Sequence, residues 1–153
     1  MSEHVLTPLG TVRGGRIEAI DDHWGDVEVT IELADHVPDG ALAGLDGFSH
    51  LEVIFVFDRA SDPGSGESAR RPRGRADLPE VGVLAQRHKD RLGRLGLSRC
   101  EIVAVGDRHI VVRGLDALDA TPVLDVKPWF ADFGPRGEVV EPAWVSAITQ
   151  DYF

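Results

Sequence analysis

The sequence predicts a mainly β protein, an antiparallel barrel or folded sheet with few short helices and one C-terminal helix. Three observations predict it. Short alternating or apolar runs recur from Leu9 to Pro128 with turn residues between them. Strand and helix patterns do not alternate, as they would in a parallel α/β chain. The clear helical periodicity comes at the end, where Trp144, Ile148 and Tyr152 follow Glu141-Pro142 four residues apart.

Leu9 to Arg13 reads as a first strand, closed by the Gly14-Gly15 turn. Val27, Val29, Ile31 and Leu33 alternate with Asp26, Glu28, Thr30 and Glu32, the pattern of a strand with one buried and one wet face. Pro38-Asp39-Gly40 stops the next stretch and opens a short helical turn through Ala41 to Gly44. Leu51 to Phe57 is almost continuously apolar and reads as a strand buried on both faces. Residues 58–79 change character, from Asp62-Pro63-Gly64-Ser65-Gly66 to Arg70-Arg71-Pro72-Arg73-Gly74-Arg75. This reads as a flexible basic loop, either a substrate gate or disorder. A strand resumes at Val81 to Ala85, and Cys100 to Val105 pairs with His109 to Arg113 around Gly106-Asp107 as a hairpin. Thr121 to Pro128 sets buried-type residues against charges after a proline, as a strand forming a pocket wall would.

A chain of 153 residues fits one domain, 1–153, with a single core. Apolar residues make up 42% and charged residues 27%, ordinary for a soluble globular protein, and no apolar run approaches the ~20 residues that span a bilayer. The N-terminus lacks a secretory pattern and the lone Cys100 has no internal disulfide partner, so a cytoplasmic location is expected. The formal charge of −10 is uneven: between Arg70 and Arg99 nine Lys or Arg face three acids, leaving +6 there and −16 elsewhere. Such a chain repels a polyanion except at that basic segment.

Dinucleotide and P-loop glycine motifs are absent, as is a G-x-S-x-G elbow. His4, His23, His36, His50, His88 and His109 show no ligand spacing with one another or with Cys100, so no metal site is expected. Three stretches remain. Asp46 to Glu52 puts His50 and Glu52 on one face at a strand mouth, although a histidine there also serves as a structural hydrogen-bonder. Gln86 to Arg91 is dense in donors between apolar runs. Asp116, Asp119 and Asp125 can accept hydrogen bonds from a ribose or an ammonium, or can cap turns.

On these stretches the sequence resembles the TsaA-like family, whose best-known members are the TrmO tRNA methyltransferases. The family's G-F-S-H-L-W is similar to Gly47-Phe48-Ser49-His50-Leu51-Glu52, and its R-S-P-F-R-P-N-P-I-G-L-S to Arg87 through Ser98. Its L-D-x-x-D-G-T-P-V-L-D-I-K-P-Y is similar to Leu115 through Trp129. The three follow one another in family order, and the likeness runs from about Leu9 to about Trp129. The sequence departs from the family at Leu92-Gly93-Arg94, where the family has Pro-Asn-Pro, and at Ala120, where it has glycine. Alanine there carries a cost if the backbone needs a positive φ. The family's Pro-Arg-Gln near the N-terminus is missing, and, as the sequence stops at Phe153, no C-terminal domain like that of many bacterial tRNA-modifying members is expected.

The resemblance implies a small antiparallel or mixed β-barrel, commonly a homodimer, that binds S-adenosylmethionine and transfers its methyl group to a nitrogen acceptor. By position, it implies cofactor contacts at Arg87, His88, Arg91, Leu92, Gly96 and Leu97 in the central stretch. In the later stretch it implies them at Asp116, Asp119, Ala120, Thr121 and Pro122. Arg87 and Arg91 are expected to hold the central loop or an anionic group. His50, Asp125 and Lys127 are the catalytic candidates, with His50 or an aspartate as base and Lys127-Pro128 closing the wall. The altered central loop and acidic surface put an acceptor other than tRNA first. Second comes tRNA, methylated at N6 of threonylcarbamoyladenosine 37 with the segment 70–99 meeting the RNA. A non-catalytic S-adenosylmethionine-binding module is third.

Overall fold

The structure is a computed structural model and describes residues 1–60 and 67–153. Six strands close into an antiparallel barrel: β1 (Gly10–Arg13), β2 (Glu28–Leu33), β3 (His50–Val56), β6 (Leu95–Val105), β7 (His109–Arg113) and β8 (Pro122–Pro128). Around the barrel they run β1-β2-β7-β6-β3-β8, and β8 returns to β1. Two short strands, β4 (Ala69–Arg70) and β5 (Val81–Gly82), pair outside it, and helix α1 spans Trp144–Thr149. This is the barrel expected from the strand pattern.

Alternation explains the core. Val29, Ile31 and Leu33 of β2 point inward as the sequence predicts, joined by Val12, Leu51, Val53, Phe55, Ile110, Val112 and Val123. Each such side chain contributes roughly 1.5–3 kcal/mol by leaving water. The segment after β7 adds buried Leu115 and Ala117 to the same cluster.

Several elements differ from expectation. β3 is not buried on both faces: Leu51, Val53 and Phe55 are inside, while Glu52, Ile54 and Val56 are half-buried on the outer face. A closed barrel has one interior, and among the described residues no helix layer covers β3 from outside. Val81–Ala85 is a strand only at Val81–Gly82, after which Val83–Ala85 forms a 3-10 turn, because the barrel closes without offering it an edge. β6 starts five residues before the expected strand, at Leu95. Its inward positions there are Gly96 and Ser98, residues that do not advertise a core face. Ala41–Gly44 is a run of turns and the 3-10 turn falls at Leu45–Gly47. The C-terminal helix ends at Thr149, so Tyr152 stands beyond it, although Trp144, Ile148 and Tyr152 are all half-buried.

In the segment expected to be a flexible loop, Asp62-Pro63-Gly64-Ser65-Gly66 lies outside the described residues. The remainder carries β4 and a 3-10 turn at Pro72–Gly74, and its arginines are engaged within the chain. Arg71 donates to Leu78 O, Arg73 pairs with both oxygens of Asp22 at 2.7 and 3.0 Å, and Arg75 bonds Asp77 and Ala147 O. Among the described residues no helix is long and apolar enough to cross a membrane.

Candidate functional site

The aspartate-rich stretch builds one end of the barrel by zipping onto β1. Gly14 and Gly15 turn with φ of 83° and 76°, and the Gly14 N–H donates to Asp119 Oδ1 at 2.8 Å. Asp119 N donates to Arg16 O at 2.8 Å, Ala120 N to Val12 O at 2.8 Å, and Val12 N to Thr121 O at 2.9 Å. Ala120 holds φ 67°, the left-handed conformation in which a glycine would be unstrained. Thr121 is buried, and Pro122 opens β8 opposite Thr11. These residues form a continuous wall.

Arg59, which the sequence reading passed over as part of a loop, reaches this wall. Its Nη2 donates to Asp119 O at 2.6 Å and to Thr121 Oγ1 at 3.2 Å, and its Nε lies 3.6 Å from Asp58. Only its place two residues beyond the apolar run of β3 hinted at such a position.

The central stretch arrives at the same end, since Phe57 N donates to Arg94 O at 2.9 Å. Here the two predicted arginines hold backbone: Arg87 donates to Leu97 O at 2.7 Å and Arg91 to Gln86 O. Buried Gln86 in turn donates to Arg70 O at 2.9 Å and Val81 O at 3.0 Å, tying the stretch to β4 and β5. His88 accepts from Arg70 Nη2 at 2.6 Å, and Asp90 accepts from the same nitrogen at 3.2 Å. Burial, then the Arg70 charge, hold the His88 imidazole below its ordinary pKa, so it is neutral at pH 7. Leu92 is exposed in a turn whose Arg94 has φ 50°, and Leu97 faces outward from β6. Gly96 faces inward under the ring of Phe55.

Asp116 works as a clamp. Ser98 Oγ donates to its Oδ1 and Tyr152 Oη to its Oδ2, so the carboxylate joins β6 to the C-terminal segment. That segment is held besides by His23 N to Asp151 O and Trp24 N to Tyr152 O, each 2.8 Å. Burial, reinforced by Asp116, pushes the Tyr152 phenol up and the Cys100 thiol up to about 12.

His50, Asp125 and Lys127 occupy the outer face of the barrel. Glu52 stands opposite Lys127 on one side and Arg99 on the other; Arg99 donates to Glu52 at 3.0 Å and its guanidinium lies 4.3 Å from the Trp129 ring centroid. Lys127 pairs with Asp125 at 2.7 Å, which raises its pKa. His50 is exposed and shares a 2.8 Å hydrogen bond with Ser49 Oγ. Glu52, Lys127, Pro128, Trp129, Phe130 and Phe133 line a shallow groove here. Within one chain the structure does not bring His50 and Lys127 to the wall. β3 pairs with β8 at Leu51–Pro128 and at Phe55–Val123, so His50 and the wall lie at opposite ends of a seven-residue strand. That length is about 20 Å.

The wall sets acceptor oxygens of Asp119 and Thr121 beside the Arg59 guanidinium. Among the described residues no three His, Cys, Asp or Glu converge as a metal site requires.

The chain is 31% identical to a human protein named tRNA (adenine(37)-N6)-methyltransferase over 105 residues, 69% of this chain but 23% of that protein. It is 34% identical over 97 residues to a probable S-adenosyl-L-methionine-binding protein of Methanothermobacter thermautotrophicus, covering 63% of this chain and 66% of that one. The chain thus spans under a quarter of the human relative. The crystal structure of TrmO from Pseudomonas aeruginosa superposes with a TM-score of 0.75 over 94% of this chain and 62% of that chain, at 23% identity, and so shares the fold. The profile of the tRNA-methyltransferase O N-terminal domain matches residues 21–134, from before β2 to beyond β8. The chain belongs to the family of that domain.

Proposed function

We propose that the chain is an S-adenosylmethionine-dependent N-methyltransferase acting on N6 of adenosine 37 in tRNA, in its threonylcarbamoyl form. The carrying observation is the family match over 21–134, which takes in both the wall and the central stretch that meets it. The names of the relatives reverse the order expected from the sequence, in which an acceptor other than tRNA came first.

When bound, the cofactor supplies an activated methyl group on sulfur. The chain's part is alignment and exclusion of water. Asp119, Ala120, Thr121 and Pro122 present the cofactor-facing wall, Arg91 and Arg87 fix the central stretch beside it, and Asp116 acts one step back as a clamp. Neither His50 nor Lys127 is assigned a proton-transfer role at this wall, because a strand length separates them from it.

The structure changes how RNA binding is tested. Arg70, Arg71, Arg73 and Arg75 brace the fold, so neutralising them would perturb more than an RNA contact. Exposed Lys89 is the better probe. Incubating the protein with labelled S-adenosylmethionine and tRNA carrying threonylcarbamoyladenosine 37 is expected to label N6 of that nucleoside, with salt-sensitive binding weakened by Lys89→Gln. Cofactor binding without transfer to any adenosine 37 would sink the tRNA assignment in favour of another acceptor or a non-catalytic module. The reading includes a cytoplasmic homodimer, for which exposed Leu92, Leu95 and Leu97 supply apolar area. A monomeric mass at micromolar concentration would remove the dimer.

A further inference from the structure

S-adenosylmethionine carries one anionic group, its α-carboxylate, alongside an ammonium and a sulfonium. The stretch assigned to hold it offers the opposite of what a carboxylate needs. Asp119 and Thr121 present carboxylate and hydroxyl oxygens, partners for hydroxyls and cations. A carboxylate set against them without a cation would be left facing negative charge.

Arg87 and Arg91 donate to the carbonyls of Leu97 and Gln86 and so hold the central stretch. Arg16 donates to the carbonyls of Asp22 and His23 and lies over the Trp24 ring. Lys127 is paired with Asp125, toward the other end of β8. Arg59 is a guanidinium whose hydrogen bonds seat it on the wall itself, and both leave from a single nitrogen, Nη2. Its side chain is 44% exposed, so this is a cation held against the wall and still open to solvent. Both hydrogens of Nη2 are used and Nε lies 3.6 Å from Asp58, so Nη1 is the corner left to donate a charge-assisted hydrogen bond to a carboxylate.

We propose that Arg59, fixed on Asp119 O and Thr121 Oγ1, anchors the α-carboxylate of S-adenosylmethionine. The inference rests on the proposed function in that it takes this cofactor as the ligand, and it adds the residue that orients the cofactor's amino-acid end. Arg59 follows β3 and the wall precedes β8, so one bond network ties both strand ends to the ligand.

The test is calorimetric titration of the full chain, as wild type, Arg59→Ala and Arg59→Lys, with S-adenosylmethionine and with decarboxylated S-adenosylmethionine. Melting temperatures serve as the folding control. Arg59→Ala is expected to weaken S-adenosylmethionine roughly ten- to hundredfold while leaving the decarboxylated ligand within about twofold of wild type. Arg59→Lys is expected to recover part of the loss, keeping the charge without the guanidinium's paired bonds to the wall. Equal weakening of both ligands would overturn the inference, making Arg59 a clip for the wall. Unchanged S-adenosylmethionine affinity would also overturn it, and a loss confined to tRNA binding would assign the guanidinium to a phosphate instead. A folded wild type that binds neither ligand would sink the proposed function itself, and this inference with it. The wild-type titration therefore reports on the first and the ratio between ligands on the second.

Discussion

The ring of Phe55 fills the space that a side chain at Gly96 would need: a Cβ built there would stand 2.7 Å from Cε1 and closer still to Cζ and Cε2. The two residues face each other across the β3–β6 ladder, and both point into the barrel. Gly96→Ala is therefore expected to destabilise the protein by about 1–3 kcal/mol, the usual cost of overpacking. Adding Phe55→Leu should recover part of that loss in a urea-unfolding cycle. Strict additivity of the two changes would show that the ring is not what excludes a side chain.

Ala120 sits at φ 67° in the middle of the wall. Ala120→Gly should raise stability by about 0.5–1 kcal/mol, the relieved strain exceeding the added freedom of the unfolded chain. Urea denaturation measures this directly. A loss of stability would mean that the methyl group contributes packing that outweighs the strain.

Tyr152 and Ser98 occupy the two oxygens of Asp116, so removing one hydroxyl leaves a carboxylate oxygen short of a donor. Tyr152→Phe is expected to cost roughly 1.5–3 kcal/mol, as for hydrogen bonds to charged groups. It should also loosen residues 144–153 in amide hydrogen exchange. Unchanged protection there would assign the hold on the C-terminal segment to its backbone bonds with His23 and Trp24 alone.

Cys100 and Tyr152 both have acid groups pushed up by burial, the thiol from an ordinary 9.0 to about 12. The folded state keeps these protons while the unfolded chain releases them, so their contribution is full below pH 9. It declines as pH rises from about 9 toward 12. Melting temperature should be flat from neutral pH to about 8.5 and fall beyond it, with a shallower fall in Cys100→Ala. Iodoacetamide should label Cys100 only in denaturant, because the thiol is buried and protonated. Rapid labelling of native protein would contradict both statements.

His50 stands about a strand length from the wall. His50→Ala should leave S-adenosylmethionine affinity unchanged, whereas Asp119→Ala, which releases the Gly14 turn, should weaken it at least tenfold by calorimetry. A comparable loss in both variants would require the partner of a dimer to bring the two ends together.

Much of this was legible before any coordinates. The alternation in β2, the Gly14-Gly15 turn and the strand opened by Pro122 follow from local chemistry, which acts between neighbours in the chain, and the family resemblance pointed to the strain at Ala120. The start of β6 was not legible, because Gly96 and Ser98 face inward without an apolar signature. Nor was β3's single buried face, since Ile54 and Val56 look like core residues and sit half-buried outside.

The sequence alone determined most of the barrel's strands, since side-chain period and backbone preference are local properties. Only the tertiary structure decided what those pieces meet. Arg59 reaches Thr121, Asp116 clamps Ser98 to Tyr152, and His50 ends at the far side of the barrel from Asp119. These relations depend on the register at which β3 and β8 pair and on the closure of β8 against β1. Register is set by how the whole interior packs, and a period-two pattern is satisfied equally well by any shift of two residues.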